Sequence, residues 1–383
     1  MRENFRMLAK TLYGFEPILA KELKNLGAGN VKEGNRMVTF EGDLGFLYKA
    51  NLCLRTALKV LRPIHSGKVF NEKQLYQQIY GLDWPKIFTP DTTFAIDTTL
   101  YSELFKNSMF VSLKAKDAVV DKFRAVVHQR PDVDARSAQV RINIHLQNND
   151  LTVSLDSSGT SLHQRGYRVV TNIAPINEVL AAGLLLQSGW SGQTDFLDPM
   201  CGSGTILIEA AMISCNIPAN INRTDFAFRY WVDFDVALFE KIVSASLNKT
   251  REFHHGILGY DKAPSAVRKA QENIENANLS EYIRVDRKDF FRTQKSTKGP
   301  LHILFNPPYG ERLPIDIPTF YDHIGSTLKE GYPGSMAWFI TSNLEALKHV
   351  GLRPSHKIKL FNGKLESRLV GFEMYEGGRR TKK

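Results

Sequence analysis

The sequence predicts an α/β fold: a doubly wound, mostly parallel sheet in the carboxyl-terminal part, preceded by an α+β region. Three observations support this prediction. From about Thr171 onward, short apolar segments typical of buried strands alternate with helical segments. Before that point, strand and helix patterns are mixed, as in α+β units. At 383 residues the chain is long enough for two or three domains.

The amino-terminal part reads as two successive α+β units. In the first, GFEPILAKELKNLG (14–27) has the pattern of an amphipathic helix and RMVTFEGD (36–43) that of a strand. The second unit has a strand pattern at 92–100, a helix pattern at 108–127 and two alternating strands over 139–159 around an Asn-Asn-Asp turn. The proposed boundaries are 1–60 and 61–160 for these units and 161–383 for the parallel sheet.

In the carboxyl-terminal part, strand patterns lie at 194–200, 256–261, 302–308 and 335–341, and helix patterns follow the first two. The second of these helices places Ala266, Ala270, Ile274 and Ala277 on one face, which predicts its buried side. Residues 356–375 predict two strands around Asn362-Gly363, an antiparallel addition to the sheet. Residues 216–256 look like an insertion, whose FAFRYW segment (226–231) is expected to pack over this sheet.

Composition narrows the classes of function. The formal charge of +10 and pI near 9.3 suit a polyanionic partner without requiring one. Three cysteines form neither a disulfide framework nor a metal-ligand cluster, which favours a reducing compartment, and we expect a cytoplasmic protein. The amino terminus carries charges where a signal peptide needs an apolar core, and no run of 18 uncharged apolar residues occurs. Secretion and membrane insertion are therefore disfavoured, and no metal is expected.

A glycine turn between a strand and a helix marks the first candidate site. DPMCGSGT, Asp198 to Thr205, has the residues that let a backbone approach a ligand closely. A tight turn without a ligand is the alternative, and the third glycine of a dinucleotide site and the Lys-Ser/Thr pair of a phosphate loop are both missing. Neither NAD nor ATP is supported. Cys201 is interpreted as a small packing residue.

Acids follow the next two strands. Asp261 stands where a carboxylate accepts the hydroxyl hydrogens of a ribose, although an acid at a helix amino terminus is an equal alternative. Asp289 could bond an adenine amino group, with Phe290 over the ring, although alone it reads as a turn-forming residue.

The stretch NPPY, Asn306 to Tyr309, follows a strongly apolar strand. The Asn306 side-chain oxygen and the Pro307 carbonyl can hold the two hydrogens of an exocyclic amine, and so turn its lone pair toward an electrophile. Pro307 and Pro308 make the loop rigid, and Tyr309 offers a stacking face for a base taken out of its helix. Pro-Pro alone can be mere loop punctuation, but its position downstream of DPMCGSGT is far more specific.

With these two loops the sequence resembles the class I S-adenosylmethionine-dependent methyltransferases that act on exocyclic amines. The stretches KDAVVDKFR, RPDVD, DSSGTSLHQRGYR and APINEVLAAGLL are similar to those of bacterial THUMP-containing methyltransferases that form N2-methylguanine in large-subunit ribosomal RNA. The resemblance spans nearly the whole of this chain, which matches the amino-terminal part of longer fused enzymes in that group. We expect their second methyltransferase unit to be missing after Lys383. Members are often labelled adenine-specific DNA methylases from the catalytic loop.

The resemblance implies a seven-stranded Rossmann-like sheet with one antiparallel strand, and a ferredoxin-like and THUMP region before it that binds RNA. It also implies that RGYRVVTNIAPINE closes over the cofactor, S-adenosylmethionine. His163 and Arg165 are weaker candidates for RNA phosphate contacts, since a linker histidine and a solvated arginine are the simpler interpretations. The implied catalytic residues are Asn306, Pro307, Pro308 and Tyr309. The implied cofactor residues are Asn172, Pro175, Asn177, Asp198, Pro199, Cys201, Gly202, Ser203, Gly204, Thr205, Asp261, Lys262, Asp289, Phe290 and Asn306.

The predicted reaction is direct transfer of the sulfonium methyl group to guanine N2, in which alignment provides most of the acceleration. The same loop could serve adenine N6 in DNA or RNA, guanine N2 in transfer RNA, or a glutamine amide. A further alternative is a non-catalytic RNA-binding factor in ribosome assembly, which an intact NPPY disfavours. The modified nucleotide and the oligomeric state are left open by the sequence.

Overall fold

The structure, a computed structural model, describes residues 3–170, 175–308 and 316–375. The strands are β1 (Phe5–Thr11), β2 (Gly29–Gly34), β3 (Met37–Gly42), β4 (Ala57–Lys68), β5 (Phe94–Tyr101), β6 (Val140–Gln147), β7 (Asp150–Asp156), β8 (Asp195–Asp198), β9 (Ile257–Asp261), β10 (Ile283–Arg287), β11 (Leu301–Phe305), β12 (Ser335–Thr341), β13 (His356–Asn362) and β14 (Leu365–Glu373). The helices are α1 (Glu16–Leu26), α2 (Leu44–Cys53), α3 (Glu72–Tyr80), α4 (Ser108–Val127), α5 (Glu178–Gln187), α6 (Thr205–Ser214), α7 (Val236–Leu247), α8 (Pro264–Asn276) and α9 (Ile317–Gly331). Among the described residues, none of these helices has the length and apolarity to cross a membrane.

The chain folds into two compact units that are not simple consecutive stretches. Unit 1 comprises Met1–Thr11, Leu19–Leu162 and Arg223–Ala245, and unit 2 comprises Leu12–Ile18, His163–Asn222 and Ser246–Lys383. Two short segments, 12–18 and 223–245, therefore belong to a different unit from their neighbours in sequence.

Unit 1 is built on one seven-stranded sheet with the order β2-β3-β1-β4-β7-β6-β5. Strand β4 is 12 residues long and pairs with β1 on one side and β7 on the other. The expected boundary between residues 60 and 61 falls inside this strand, so the two predicted α+β regions share a continuous sheet. The predicted helix at 108–127 is α4, whose Phe123 packs against Phe88 with ring centroids 4.9 Å apart.

The segment 223–245 packs into unit 1 through aromatic side chains. Phe226 and Phe228 are buried in the core of this unit, and the Phe228 ring lies 4.6 Å from that of Tyr48. The Arg223 guanidinium donates hydrogen bonds to backbone carbonyls at positions 158, 160 and 161. The expectation that FAFRYW packs over the parallel sheet is wrong, because its large rings are taken up by the core of the other unit.

Unit 2 contains the predicted doubly wound sheet, with the order β10-β9-β8-β11-β12-β14-β13. Strands β10, β9, β8, β11 and β12 are parallel neighbours, and β14 is inserted antiparallel between β12 and β13. All five residues of β11 are buried, as its apolar sequence predicts for a strand covered on both faces. The chain order reverses at β8, so the carboxyl ends of β8, β9 and β11 surround a topological switch point, where such sheets bind ligands.

The short segment 12–18 completes the core of unit 2. Phe15 is fully buried among residues of α5 and α6. A Cβ atom on Gly183 of α5 would lie 2.1 Å from Phe15 Cε2, so this position accommodates the ring only because it is glycine. The Gln187 side chain also donates to the Gly14 carbonyl at 3.1 Å. Unit 2 therefore depends on residues far upstream of its parallel sheet.

Candidate active site

The predicted site residues lie at the carboxyl ends of four neighbouring parallel strands. Asp198 ends β8, Asp261 ends β9, Asp289 follows β10 and Asn306 follows β11. Neighbouring strands are about 4.8 Å apart, so these positions line one edge of the sheet. The structure thus brings to one edge four positions that are spread over more than 100 residues of sequence, from Asp198 to Asn306.

Backbone hydrogen bonds hold the glycine loop against β9. The Cys201 N–H donates to the Tyr260 carbonyl at 2.9 Å, and the Gly202 N–H donates to Asp261 Oδ2 at 3.1 Å. The other oxygen of Asp261 accepts from the Ala263 N–H at 2.9 Å. Asp261 is therefore a structural partner of the loop as well as the predicted ribose ligand.

Two glycines give this loop its shape. Gly202 and Gly204 have φ of 56° and 83°, in the left-handed region that favours glycine. A Cβ on Gly204 would also lie 3.3 Å from the Ala270 Cβ of α8. Helix α6 then begins at Thr205, directly after the turn. The loop can therefore present backbone at a helix amino terminus, the geometry that binds ligands without Cβ obstruction.

The loop is electrostatically unusual, because two carboxyl groups lie near each other in a poorly hydrated place. Burial raises the pKa of Asp198 well above its usual value, and the neighbouring Asp261 adds to that rise. Burial also raises the pKa of Asp261. The Cys201 thiol has a pKa raised well above normal by burial, so it is a poor source of thiolate. A ligand that is cationic or donates hydrogen bonds would relieve the clustering of acids.

The Asn-Pro-Pro loop begins on the strand next to the glycine loop. Ile303 of β11 lies opposite Leu197 of β8, so the chain passes the level of Asp198 just before it reaches Asn306. Asn306 is half-buried, Pro307 is buried and Pro308 is half-buried. Tyr309 lies outside the described residues. The two loops therefore leave adjacent strands at the same edge of the sheet.

The residues predicted for the adenine end have local structural roles. Asp289 accepts from the Phe291 N–H at 3.2 Å and so caps a short 3-10 turn, as a turn-forming acid does. The Phe290 ring is 2% exposed and packs against Phe305 and Tyr332, with centroids 5.7 and 5.8 Å away. Lys262, next to Asp261, is exposed. Contact of these residues with a cofactor stays a prediction.

The segment predicted to close over the cofactor is partly described. Asn172 lies outside the described residues, and Pro175 is half-buried. Asn177 caps helix α5, because its side chain accepts from the Leu180 N–H at 3.2 Å. The cofactor contacts assigned to these residues remain predictions.

An arginine that sequence reasoning missed connects this segment to the glycine loop. Arg168 Nη2 donates to Thr205 Oγ1 at 2.8 Å and to the Ile176 carbonyl at 3.0 Å, and lies 3.0 Å from Glu178 Oε1. Burial raises the pKa of Glu178 to about 7, and the Arg168 charge opposes that rise. Glu178 follows the APIN stretch as the first acid of α5, but no spacing indicated its partner.

Asn273 is a second residue that the sequence analysis missed. Its Nδ2 donates to the Ser203 carbonyl at 3.0 Å and to the Val170 carbonyl at 3.1 Å, while its Oδ1 accepts from the Val169 N–H at 3.2 Å. Helix α8 therefore holds both the glycine loop and the first part of the stretch predicted to close over the cofactor. The only available signal was a disfavoured asparagine in mid-helix beside the predicted apolar face.

Arg165 is neither solvated nor placed to touch RNA. Its side chain is fully buried, and it pairs with Glu209 of α6, with Nε 3.2 Å from Oε1. Arg165 Nη1 donates to Asn220 Oδ1 at 3.3 Å, and the Tyr167 hydroxyl donates to Glu209 at 3.2 Å. Both earlier interpretations of Arg165 are therefore wrong, because the charge is used inside unit 2 to satisfy a buried glutamate.

A doubly wound sheet with a glycine loop, an acid on the next strand and an Asn-Pro-Pro loop at its switch point defines a class I methyltransferase domain. The profile of the RMKL-like methyltransferase domain family matches residues 165–370, and the chain belongs to this family. Two further profiles match upstream: the RlmL ferredoxin-like domain at 6–61 and the THUMP domain at 70–156. The resemblance noted from the motifs and the predicted fold class are confirmed.

Named relatives match nearly the whole chain. Ribosomal RNA large subunit methyltransferase K/L of Syntrophotalea carbinolica is 36% identical over 98% of this chain and 54% of its own length. The Synechocystis protein slr0064, which carries an RNA methyltransferase name, is 35% identical over 94% of this chain and 95% of its own length. The structure of SMU.472, named as a methyltransferase in complex with SAH, superposes with a TM-score of 0.87 at 29% identity, over 99% of this chain and 100% of that one. The chain thus spans about half the length of the K/L relatives that it matches.

Proposed function

We propose that this protein transfers a methyl group from S-adenosylmethionine to the exocyclic N2 amine of a guanine in large-subunit ribosomal RNA, in the cytoplasm. One observation carries the proposal: the glycine loop and the Asn-Pro-Pro loop leave adjacent parallel strands, β8 and β11, at one edge of the sheet. An electrophile held by the first loop and an amine held by the second would meet there.

The residues at this edge fit such a cofactor. The two carboxyl groups of Asp198 and Asp261, both with raised pKa, favour a ligand that carries positive charge and hydroxyl donors. The left-handed glycines leave the backbone of the loop free of Cβ atoms on its approach side. When bound, S-adenosylmethionine would supply an electrophilic methyl group on a sulfonium for direct transfer to the amine, with S-adenosylhomocysteine as the leaving group and one proton lost to water.

Asn306 and Pro307 orient the amine. The amide oxygen of Asn306 and the carbonyl of Pro307 accept its two hydrogens, which directs the nitrogen lone pair toward the glycine loop. The adjoining prolines restrict the loop, so little order has to be created when the base arrives. The catalytic contribution is alignment, which in well-oriented pairs reaches about 7 to 11 kcal/mol.

The substrate assignment rests on the amino-terminal region and on the relatives. In the three-domain division proposed here, residues 1–60 and 61–160 hold structured RNA by shape and phosphate contacts, and residues 161–383 carry the chemistry. The matches to a THUMP domain and to proteins named for large-subunit ribosomal RNA support this division. The net charge of +10 also favours a polyanionic partner such as RNA.

Two other substrates remain compatible with the same loop. Adenine N6 in DNA or RNA presents an amine of similar shape, and guanine N2 in transfer RNA presents the same amine on another molecule. A THUMP region is an RNA-binding module, which favours either RNA over DNA. A non-catalytic assembly factor would need neither Asn306 nor the two prolines.

The test is mass mapping of methylated nucleosides. Large-subunit RNA from a strain lacking this gene should lose one N2-methylguanosine, and complementation should restore it. Loss of N6-methyladenosine instead, or of N2-methylguanosine from transfer RNA, would identify the corresponding alternative. An unchanged methylation map would contradict enzymatic function on RNA.

A further inference from the structure

The antiparallel hairpin at the end of unit 2 carries a concentration of positive charge. From Ala346 to Leu365 the sequence contains five lysines and arginines and no acidic residue. These five residues, Lys348, Arg353, Lys357, Lys359 and Lys364, are all exposed. The hairpin β13–β14 itself has four basic residues, Lys357, Lys359, Lys364 and Arg368, and two acids, Glu366 and Glu373, so it adds a net positive charge to the unit that carries the candidate active site.

The strand register fixes where this charge lies. Phe305 of β11 is level with Phe339 of β12, and Thr341, two residues further, is level with Arg368 of β14. Arg368 in turn is level with Lys359 of β13. Lys359 and Arg368 thus stand at the carboxyl edge of the sheet, level with the chain just past β11, and the turn that bears Lys364 extends beyond that edge.

The hairpin is near enough to contact the same nucleic acid strand as the catalytic loop. Three strand spacings separate β11 from β13, or about 14 Å at about 4.8 Å per strand. Lys359 and Arg368 also face the same way, because both approach the carboxylate of Glu366, at 2.8 and 3.8 Å. The Arg368 side chain is 39% exposed, so part of its guanidinium is accessible to a ligand.

Lysines on an edge strand also discourage edge-to-edge pairing of sheets. The opposite edge strand of the same sheet shows what that role looks like. On β10, Arg284 and Lys288 share the carboxylate of Asp286, at 3.0 and 3.2 Å, and Lys359 and Arg368 share that of Glu366 in the same way. The hairpin differs in carrying two more exposed lysines, Lys357 and Lys364, which form no ion pair within the described part of the chain.

We propose that Lys359, Lys364 and Arg368 bind phosphates of the substrate RNA beside the flipped nucleotide, as a phosphate clamp on the catalytic unit itself. The inference rests on the proposed function and adds a contact outside the amino-terminal RNA-binding region. It assigns to the hairpin the positioning of the strand that enters the Asn-Pro-Pro loop. Phosphate contacts of this kind set register without reading sequence.

The test compares two double variants of the full-length protein. Lys359→Gln/Lys364→Gln removes two charges from the clamp. The control, Lys298→Gln/Lys329→Gln, removes two other exposed lysines of the same unit. Lys298 lies just before β11, and Lys329 lies in the last turn of α9, which leads into β12; both positions are near the amino-terminal ends of the parallel strands. Affinity for a transcript of large-subunit ribosomal RNA is measured as a function of salt, together with methyl transfer to it and affinity for S-adenosylmethionine.

The clamp variant should bind RNA several-fold more weakly, with a log–log salt slope smaller by roughly 1.4, since each phosphate contact on a single strand contributes about 0.7. Its KM for RNA should rise while kcat at saturating RNA and cofactor affinity stay unchanged. A salt slope equal to that of the wild type, or an equal loss in the control, would overturn the clamp. Self-association of the clamp variant with unchanged RNA affinity would assign the lysines to edge protection and overturn it as well.

The same assay separates this inference from the proposed function. If the wild type methylates guanine N2 and the clamp variant keeps the full salt slope, the clamp is wrong and the function stands. If the clamp variant loses slope but the wild type methylates adenine, the phosphate contact stands and the guanine assignment is wrong.

Discussion

The Asp261 carboxylate accepts a hydrogen bond from the backbone N–H of Gly202, at 3.1 Å, and thereby ties the glycine loop after β8 to the end of β9. Its other oxygen accepts from the Ala263 N–H, at 2.9 Å, at the start of helix α8. One side chain thus fixes the relation of the loop to the neighbouring strand and helix. Asp261, the residue proposed to bind the ribose, is therefore itself held in place by the glycine loop.

We expect Asp261→Asn to weaken S-adenosylmethionine binding by about 10- to 100-fold. In asparagine, an NH2 group replaces one of the two acceptor oxygens and would face a backbone N–H donor. The variant therefore loses one hydrogen bond to a charged group, and such bonds contribute about 1.5 to 3 kcal/mol. Calorimetric titration measures the affinity. Asp286→Asn on β10, which contacts Arg284 and Lys288 instead of the loop, is the matched control and should bind normally. Equal affinities in the two variants would contradict the role of Asp261.

Glu178 should make stability depend on pH in a defined window. Burial raises the pKa of Glu178 to about 7 from a usual value of 4.5. At a pH between these two values, the folded protein holds a proton on Glu178 that the unfolded chain has released. The contribution of Glu178 to the free energy of unfolding is therefore present at low pH and is lost as pH rises toward 7, with a slope of about 1.4 kcal/mol per pH unit.

Glu178→Gln removes this proton and keeps a carbonyl that can accept from Arg168. The difference between the wild-type and variant free energies of unfolding, measured by urea denaturation from pH 5 to 8, should change below about pH 7 and be constant above it. Parallel curves over the whole range would show that Glu178 is ionised throughout, and the raised pKa would then be wrong.

The buried pair of Arg165 and Glu209 should be costly to break. Arg165→Met leaves the Glu209 carboxylate inside unit 2 without its guanidinium partner, which typically costs about 3 to 5 kcal/mol. Arg165→Met combined with Glu209→Met should recover part of this loss. Arg284→Met, at a residue that is 74% exposed, should cost no more than about 0.5 kcal/mol. Denaturant titration measures all three, and a small cost for Arg165→Met alone would restore the view that this arginine faces solvent.

Gly259 of β9 has no side chain at the place where Cys201 of the glycine loop and Leu207 of α6 pack against the strand. A Cβ at this position would lie 2.4 Å from Leu207 Cδ1 and 3.2 Å from Cys201 Sγ, inside the packed core of unit 2. We expect Gly259→Ala to lower the free energy of unfolding by about 1 to 3 kcal/mol, as overpacking does. Gly299→Ala, whose Cβ would meet nothing within 4 Å, should leave thermal stability unchanged. Similar melting temperatures for the two variants would mean that Leu207 moves aside without cost.

Local patterns predicted most of the elements. The helix expected at 108–127 is α4, the strand expected at 335–341 is β12, and the Asn362-Gly363 turn joins β13 to β14. The apolar face of α8 is also as predicted, because Ala266, Ala270 and Ile274 are buried. Such features follow from the periodicity of side chains and from turn chemistry, which act over a few residues.

Long-range partners could not be predicted in this way. The burial of Arg165 depends on Glu209, which is 44 residues away, and the role of Asn273 depends on Val170 and Ser203. Likewise, nothing in FAFRYW or in the segment around Phe15 shows which core these rings enter. Apolar side chains and charges show that a partner is needed, but the tertiary fold decides which residue provides it.

The central claim is that Asn306 orients the amine that accepts the methyl group, and single-turnover methyl transfer by Asn306→Ala tests it most directly. The substitution keeps β11, both prolines and the glycine loop, so fold and cofactor affinity should be unchanged. The rate of N2-methylguanosine formation should fall by about 100- to 1,000-fold, the size of effect seen when one aligned polar partner is removed from an active site. Asn276→Ala, at an exposed position on α8, is the control and should react at the wild-type rate. If Asn306→Ala methylates guanine as fast as the wild type, the Asn-Pro-Pro loop does not hold the nucleophile and the account is wrong.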